Sequence, residues 1–471
     1  MKAIAEKLQL SNVERRAHFS KIGGVVALAI GLTCILVALS VKSVVALFFV
    51  LIVVLFLLLD LKSFLFSLIL LRVNLDAFHG KLNISLGEYR ELSLPTILGI
   101  IIFFTGLAYL ATRKTNFWKM PAVRPYVFFF GACLASFLLS GGAMNTLGEL
   151  MELGSFLFLY VMTVDILQDE KDIKKAVNLL ILSSLIPLGM GFIELFTKFD
   201  FHQIMGLEPS YRLYSVTTHC NVYAFYLVTL SILVTSILLQ EKSHSKRQGL
   251  FVLLGLLAIQ LIFTYARGVW ISLVLALLIL GIVKHRKLFI LTPLGIGLAI
   301  YLFPSIVERF APVMNSGSLE NTSLAWRINL WLLSINYFIQ HPIFGIGFGN
   351  YIFVEHDMID VYIGAHNDYL RILVETGVIG FSCFIGLLLS LLRLGIRAYK
   401  KSHSTYHKHL CLGFLGLLAA YVVTSTSENF FNQGTIQWYF WTYAAVIAAI
   451  YMRNPDGLTN SQLETSNVAR V

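Results

Sequence analysis

The chain has 471 residues, of which 57% are hydrophobic and 13% are charged, and its formal net charge at pH 7 is +10. Soluble domains carry roughly 25% charged and about 45–50% apolar residues. The composition therefore excludes a soluble enzyme, a disordered protein and a disulfide-stapled secreted module. Repeated apolar runs of about 17 or more residues are typical of membrane helices, and they are continuous rather than alternating, which excludes a β-barrel.

Apolar segments along the chain predict the membrane path. They lie near 22–41, 43–60, 63–78, 93–112, 124–141, 150–167, 177–197, 221–240, 249–265, 267–283, 288–303, 371–396, 410–428 and 435–452. The segment near 63–78 is short and could pair with its neighbour as a re-entrant hairpin. We therefore expect an all-α polytopic membrane protein with 12–14 transmembrane helices, the number being even.

Lys and Arg are distributed unequally between the connecting loops, and this asymmetry predicts the orientation. With a cytoplasmic N-terminus, about 26 of the 36 Lys and Arg fall on the cytoplasmic side. The expected organisation is a cytoplasmic tail, membrane helices, one large periplasmic loop, further membrane helices and a second cytoplasmic tail, at 1–21, 22–303, 304–370, 371–452 and 453–471. No isolated basic domain is visible, so nucleic acid is not an expected partner.

Two arginines lie at the outer ends of predicted spans. Arg267 stands at the junction of two apolar runs, where a charge usually faces a cavity or a ligand. Arg212 precedes a span on the same side, and the two guanidinium groups could clamp a phosphate or diphosphate by bidentate hydrogen bonds. The alternatives are a snorkelling interfacial side chain for Arg267 and an ordinary surface residue for Arg212.

His366 lies where the large outer loop re-enters the membrane, and histidine is the usual general base near neutral pH. A structural hydrogen-bonding role is the alternative. Glu375, nine residues further on, needs a partner at membrane depth: it could orient His366, take part in chemistry, or pair with an arginine. The glycine-rich run at 341–350 lacks the features of a nucleotide loop and predicts a tight loop over the membrane mouth. His356, Asp357 and Asp360 lack a recognised ligand spacing, so we expect no metal and no cofactor.

These residues resemble a known family. His366-Asn367, followed by Gly377-Val378-Ile379-Gly380, resembles the histidine–asparagine signature of the O-antigen ligase and polymerase superfamily. The stretch from Trp326-Arg327 to Trp331, with the glycine-rich run at 341–350, resembles the segment that precedes this signature. The resemblance covers about 205–400.

The arginines fit the same resemblance. Arg267 matches the arginine that opens a span in the family, with Ile271 at the customary leucine. Arg212 and Asn221 resemble the family's earlier arginine and asparagine. Here the sequence departs from the pattern, with Ser215 in place of the customary glycine and Cys220 in place of the customary proline.

The resemblance implies a membrane glycosyltransferase of the C type, metal-independent and inverting. Such an enzyme takes a glycan from undecaprenyl diphosphate on the periplasmic face of a bacterial inner membrane, with membrane lipids around it. The acceptor would be lipid A core in a ligase, or another lipid-linked repeat in a polymerase, towards which we lean slightly. His366 would act on the acceptor hydroxyl and Arg212 and Arg267 would hold the diphosphate. The expected supporting residues are Asn221, Arg327, Asn367, Asp368 and Glu375.

Two other functions are kept open. A protein O-oligosaccharyltransferase shares the histidine signature and would transfer the glycan to Ser or Thr of a protein. A transporter or flippase would instead place charges near the bilayer midplane and show inverted repeats. Here the notable charges cluster at the outer interface, and no repeat is visible.

Overall fold

A computed structural model of the chain describes residues 60–78, 84–85, 91–92, 94–112, 116–140, 144–197, 212–303, 323–356 and 364–453. Several predicted segments lie outside these described residues. They are the tail at 1–21, the span near 22–41, the span near 43–60 except for residue 60, parts of the loop at 304–370 and of shorter loops, and the tail beyond Arg453.

Helices make up nearly all of the described chain. In chain order they are α1 (Leu61–Leu71), α2 (Leu94–Thr112), α3 (Val123–Leu139), α4 (Met144–Ile166), α5 (Glu170–Leu182), α6 (Leu185–Thr197), α7 (Cys220–Leu238), α8 (His244–Phe263), α9 (Arg267–Val283), α10 (Leu288–Leu302), α11 (Ser323–Gln340), α12 (Tyr351–His356), α13 (Asp368–Lys401), α14 (Thr405–Thr424) and α15 (Gly434–Met452). The other described elements are the 3-10 segments Arg72–Phe78 and Phe117–Lys119 and a two-residue antiparallel pair, β1 (Ile84–Ser85) and β2 (Glu91–Leu92).

The helices match the apolar segments of the sequence. Within the described residues, six helical segments are long and apolar enough to cross a bilayer, and they are Leu147–Ile166, Glu170–Thr197, Cys220–Leu238, His244–Phe263, Asp368–Lys401 and Thr405–Thr424. Shorter apolar helices accompany them. The prediction of an all-α polytopic membrane protein is confirmed. The short segment near 63–78 consists of α1 followed by a 3-10 segment rather than one continuous helix.

Helices α7 and α15 lie in the middle of the bundle, and almost every side chain of both is buried. A helix that is apolar on all sides is expected to be enclosed by others. Helix α7 contacts α8, α9 and α14, whereas α15 packs on α4 and α13. Their polar side chains find partners inside the bundle: the Gln437 amide of α15 donates to the hydroxyl of Tyr421 and to the carbonyl of Phe430.

The large outer loop contains helical structure of its own. Helices α11 and α12 both lie in the loop predicted at 304–370. Helix α11 packs on α13, so the loop is attached to the start of the next membrane helix.

The glycine-rich run binds to a break in α13. Gly377 has φ +64° and ψ −169°, a conformation that interrupts the helix and favours glycine. The backbone N–H groups of Ile346 and Gly347 donate to the carbonyls of Val374 and Glu375, at 2.9 and 3.0 Å. These bonds satisfy carbonyls that the break would leave unpaired. The run is therefore a loop docked onto the broken helix.

Candidate active site

His366 sits in a strained segment just before α13. Its φ is +46°, in the left-handed region that is uncommon for non-glycine residues. The carbonyl of the preceding Ala365 accepts a hydrogen bond of 2.9 Å from the indole N–H of Trp331 on α11. Asn367 caps α13, since its side chain accepts from the N–H of Leu370. Strain that persists between such anchors is common at functional sites.

Asp368 joins this segment to the loop between α14 and α15 (425–433), hereafter the α14–α15 loop. Its backbone N–H donates to the carbonyl of Ser425 at 2.8 Å. Its carboxylate accepts from the N–H groups of Phe430 and Phe431, each at 3.1 Å. Gly364 (φ +85°) lies so close to this loop that a side chain there would collide with the amide of Asn429. The described contacts of Asp368 therefore hold the α14–α15 loop in place against the segment that contains His366.

Glu428, on the α14–α15 loop, lies between two basic side chains. Glu428 Oε2 is 3.7 Å from His366 Nδ1, and Oε1 is 3.8 Å from Arg327 Nη2. Arg327 Nη2 lies 3.4 Å from the same His366 nitrogen. Burial alone would raise the pKa of Glu428, but the polar contact with His366 and the positive charge of Arg327 outweigh it, so the pKa is lowered from its usual value. The site therefore holds an ionised carboxylate at neutral pH.

Arg212 and Asn221 extend this network. Arg212 Nη2 donates to Asn221 Oδ1 at 2.6 Å, and its Nε donates to the carbonyl of Thr264 at 2.9 Å. The side-chain amide of Asn221 is also close enough to Glu428 to help lower the pKa of its carboxyl. A continuous polar path thus runs from Arg212 through Asn221 and Glu428 to His366 and Arg327.

Arg267 opens α9 beside this path. The next residue, Gly268, lies so near the α14–α15 loop that an added Cβ would sit 3.0 Å from the hydroxyl of Ser427. Arg327 donates to the carbonyl of the same Ser427 at 3.0 Å. The turn before α9 is also attached to the Arg212 segment, because the N–H of Leu213 donates to the carbonyl of Phe263. The backbone at the start of α9, where Arg267 stands, therefore lies at the same end of the bundle as Arg212, Arg327 and Glu428.

Glu375 has different described partners. Its Oε1 accepts from Arg371 Nε at 3.0 Å and from the N–H of Tyr351 at 3.1 Å. Arg371 also binds Glu149 on α4 at 2.8 Å. Three roles were left open for Glu375, and these contacts correspond to pairing with an arginine. The same contacts join α13 to α4 and α12.

Ser215 stands where the family pattern has a glycine, and its backbone geometry shows how a serine is accommodated there. Its φ is +52°, the left-handed conformation that glycine adopts without steric cost. Three bonds hold it: Glu194 accepts from the N–H groups of Tyr214 and Ser215, and the Ser215 hydroxyl donates to the carbonyl of Pro187 at 2.6 Å. The serine thus retains the backbone geometry for which a glycine would be suited.

Comparison with known proteins gives a family match in the same part of the chain. Residues 250–385 match the family model described as O-antigen ligase. This match supports the resemblance to the O-antigen ligase and polymerase superfamily over this part of the chain. The matched segment contains Arg267, Arg327, His366 and Glu375. The family supports a membrane glycosyltransferase of the general O-antigen ligase or polymerase type, active in surface-polysaccharide biosynthesis.

The chain also resembles an uncharacterized protein of Haemophilus influenzae. The two are 25% identical over 369 residues, which cover 72% of this chain and 89% of that protein. The similarity therefore extends well beyond the segment of the O-antigen ligase domain.

Sequence reasoning did not find Glu428. The apolar segment near 410–428 was expected to run through it, whereas α14 ends at Thr424 and leaves Glu428 in the following loop. A signal was present, because Glu428 is the one charged residue between Leu410 and Met452. A carboxylate so close to a membrane helix calls for a partner.

Proposed function

We propose that the protein transfers a glycan from undecaprenyl diphosphate to a saccharide acceptor on the periplasmic face of the inner membrane, as an O-antigen or exopolysaccharide polymerase or as an O-antigen ligase. The observation that carries this proposal is the polar path that connects Arg212, Asn221, Glu428, His366 and Arg327 beside the start of α9. It places a candidate base among groups that bind anions.

The arginines supply the electrostatic part of the reaction. The leaving group is a diphosphate whose negative charge grows as the bond to the sugar breaks, and fixed positive groups stabilise that charge. Arg212 and Arg267 are proposed to hold the diphosphate and Arg327 to assist. The start of α9 adds the partial positive charge of a helix N-terminus beside Arg267.

His366 is proposed to accept the proton of the acceptor hydroxyl. That oxygen attacks the anomeric carbon, the carbon–oxygen bond to the diphosphate breaks, and undecaprenyl diphosphate leaves with the electron pair. Glu428 lies beside Nδ1 of His366. The proposed base is the tautomer in which Nδ1 carries the ring proton and directs it at Glu428, so that the lone pair of Nε2 faces the substrate. Arg327 can only donate, so in this tautomer its Nη2 pairs with Glu428 Oε1, 3.8 Å away, rather than with Nδ1. Such contacts are often long without substrate and shorten in the reactive complex.

The orientation of the site rests on charge. Helices α9 and α14 have one end at the site and the other near Lys284, Lys287 and Lys408. Loops rich in Lys and Arg remain in the cytoplasm. The site is therefore proposed to face the periplasm.

The test is product analysis with purified protein and an undecaprenyl-diphosphate-linked repeat unit, with and without lipid A core. A ladder that forms without lipid A core identifies a polymerase, and a single shift that requires it identifies a ligase. No product with several repeat units tried, from protein shown to be folded, would contradict the proposal and favour a protein acceptor or transport. EDTA should leave the activity unchanged, because the proposed mechanism uses no metal; loss of activity that a divalent ion restores would refute that part.

A further inference from the structure

A large cavity lies between α8, α9 and α10 and extends along α9 from Trp270 to Lys284. Its volume is about 1620 Å³, larger than the roughly 300–1,000 Å³ of usual small-molecule pockets. Most of its wall is aliphatic or aromatic, including Phe251, Leu254, Leu277 and Leu291. An elongated apolar occupant, such as a pair of acyl chains, matches this wall.

One end of the cavity is strongly basic. Five cationic side chains line it, against one acidic side chain, Glu241, and they are Lys242, Arg247, Lys284, Arg286 and Lys287. All five are exposed, so their charged groups can reach a ligand at the mouth. The imidazoles of His285 and His409 meet there at 2.8 Å and fix the α9–α10 turn to α14. The His409 Nδ1 lies 2.7 Å from the carbonyl of Thr405, which secures the other side of this pair.

The basic end lies opposite the candidate active site. Trp270 and Lys284 both line the cavity, and the helix from Trp270 to its last residue, Val283, rises by about 20 Å. Arg267, where the donor diphosphate is proposed to bind, stands at the far end of the same helix. The donor's own diphosphate is therefore too distant to be the anion that this cluster serves.

We propose that this cavity is a binding site for an anionic phospholipid of the leaflet opposite the active site, such as phosphatidylglycerol. The phosphate lies at the cluster of Lys242, Arg247, Lys284, Arg286 and Lys287, and the acyl chains lie between α8, α9 and α10. Basic pockets between membrane helices recognise anionic headgroups through these same two features. The proposal does not depend on which glycan the protein transfers.

Native mass spectrometry of the full-length protein in detergent tests the site. The probes are dioleoylphosphatidylglycerol, dioleoylphosphatidylcholine, undecaprenyl phosphate and glycerol phosphate. We expect one phosphatidylglycerol per chain, bound at least about tenfold more tightly than phosphatidylcholine, since each nearby Lys or Arg strengthens attraction to anionic lipid. Displacement of bound phosphatidylglycerol by equimolar undecaprenyl phosphate, or binding of glycerol phosphate as tight as that of the lipid, would overturn the proposal.

Two matched pairs of variants test separately how the lipid headgroup and the acyl chains contribute to binding. The triple change Lys284→Gln, Arg286→Gln, Lys287→Gln should abolish the preference for phosphatidylglycerol. The triple change Arg393→Gln, Arg397→Gln, Lys400→Gln removes equal charge from exposed residues at the corresponding end of α13, outside the cavity lining, and should preserve that preference. Equal losses in both triple variants would indicate a diffuse charge effect and refute the site.

The second pair tests the apolar part. Gly295 lines the cavity, whereas Gly297 does not, and an added Cβ at either meets no atom within 4 Å. Gly295→Phe should weaken phosphatidylglycerol binding at least about tenfold by filling the space of an acyl chain, and Gly297→Phe should leave it unchanged. Unchanged binding in Gly295→Phe would show that the lipid does not enter the cavity, and would overturn the proposal even if the proposed glycan transfer were established.

Discussion

Replacing Glu428 with glutamine tests the proposed mechanism most directly. The substitution retains the size of the side chain and removes its negative charge. In the proposed reaction His366 gains a positive charge as it takes the acceptor proton, and Glu428 lies beside it. The variant should therefore lose turnover while retaining affinity for the donor.

The size of the effect follows from the geometry. Two unit charges at 3.7 Å, the distance from His366 Nδ1 to Glu428 Oε2, attract each other by about 4 kcal/mol at an effective dielectric constant near 20. Only a part of this attraction acts at the transition state, because the positive charge on His366 is not yet fully developed there. Since about 1.4 kcal/mol corresponds to a tenfold change in rate, kcat should fall about 10²- to 10³-fold.

The assay is steady-state transfer from a lipid-linked repeat unit, with kcat and the donor KM measured separately across pH. The donor KM should stay constant or fall, since the removed carboxylate repels a diphosphate. Glu428→Asp should restore part of the turnover. An unchanged kcat, or a higher donor KM as the sole effect, would refute the role of Glu428.

A matched control comes from the buried ion pair away from the path. Glu149→Gln weakens the contact with Arg371 but leaves Glu428 intact, so it should lower stability while kcat stays near the wild-type value. A loss of kcat in this control as large as that in Glu428→Gln would show that buried charge in general is responsible.

The lowered pKa of Glu428 also predicts how stability depends on pH. A carboxyl whose pKa is lower in the folded state stabilises that state above its unfolded pKa, near 4.3 for glutamate, and the contribution is lost as pH falls through the folded pKa. The difference in melting temperature between the wild type and Glu428→Gln should thus be complete at pH 7 and shrink below about pH 4. A difference that stays constant over this range would contradict the ionised state of Glu428.

The remaining predictions concern three residues. Arg267→Ala should abolish glycan transfer with normal expression, and Arg267→Lys should recover little because a lysine cannot bind a phosphate in a bidentate manner; normal product from Arg267→Ala would remove the diphosphate role. His366→Ala should lose about 10²- to 10⁴-fold in kcat but still bind the lipid-linked donor in a pull-down, whereas unchanged turnover would mean that another base acts. Ser215→Gly should transfer glycan normally and Ser215→Val should be impaired, because the φ of +52° excludes a β-branched residue; equal activities would show that this conformation is not needed.

The sequence predicts the described membrane helices well because the signal for each is local. A run of apolar residues is sufficient to indicate a helix in a bilayer. Helices α7 and α9 begin within two residues of the predicted spans near 221–240 and 267–283. The boundary at Glu428 was missed since the threonine and serine residues after Val423 are compatible with a helix. The end of α14 depends on tertiary contacts, namely the hydrogen bonds between Asp368 and the α14–α15 loop.

The partners of the site residues are not local, and this limits what one sequence shows. His366 and Glu428 are separated by 62 residues, and Arg212 precedes Glu428 by 216. Nothing in the spacing of an outer loop shows which later loop it meets. The resemblance to a family indicates His366 and the arginines as motif residues, yet the acidic partner considered for His366 was Glu375. Glu428 is identified only by the packing of the helices.

The motif residues around the histidine have a physical explanation in the backbone. Asn367 caps α13, Asp368 binds two backbone N–H groups of the α14–α15 loop, and Trp331 binds the carbonyl before His366. Each fixes main chain rather than a reacting atom. A base must be held to within a fraction of an ångström of the proton that it accepts. A site assembled from loops at one end of a membrane bundle meets this demand only if the loops are joined to one another, which explains why residues of this kind accompany the candidate base.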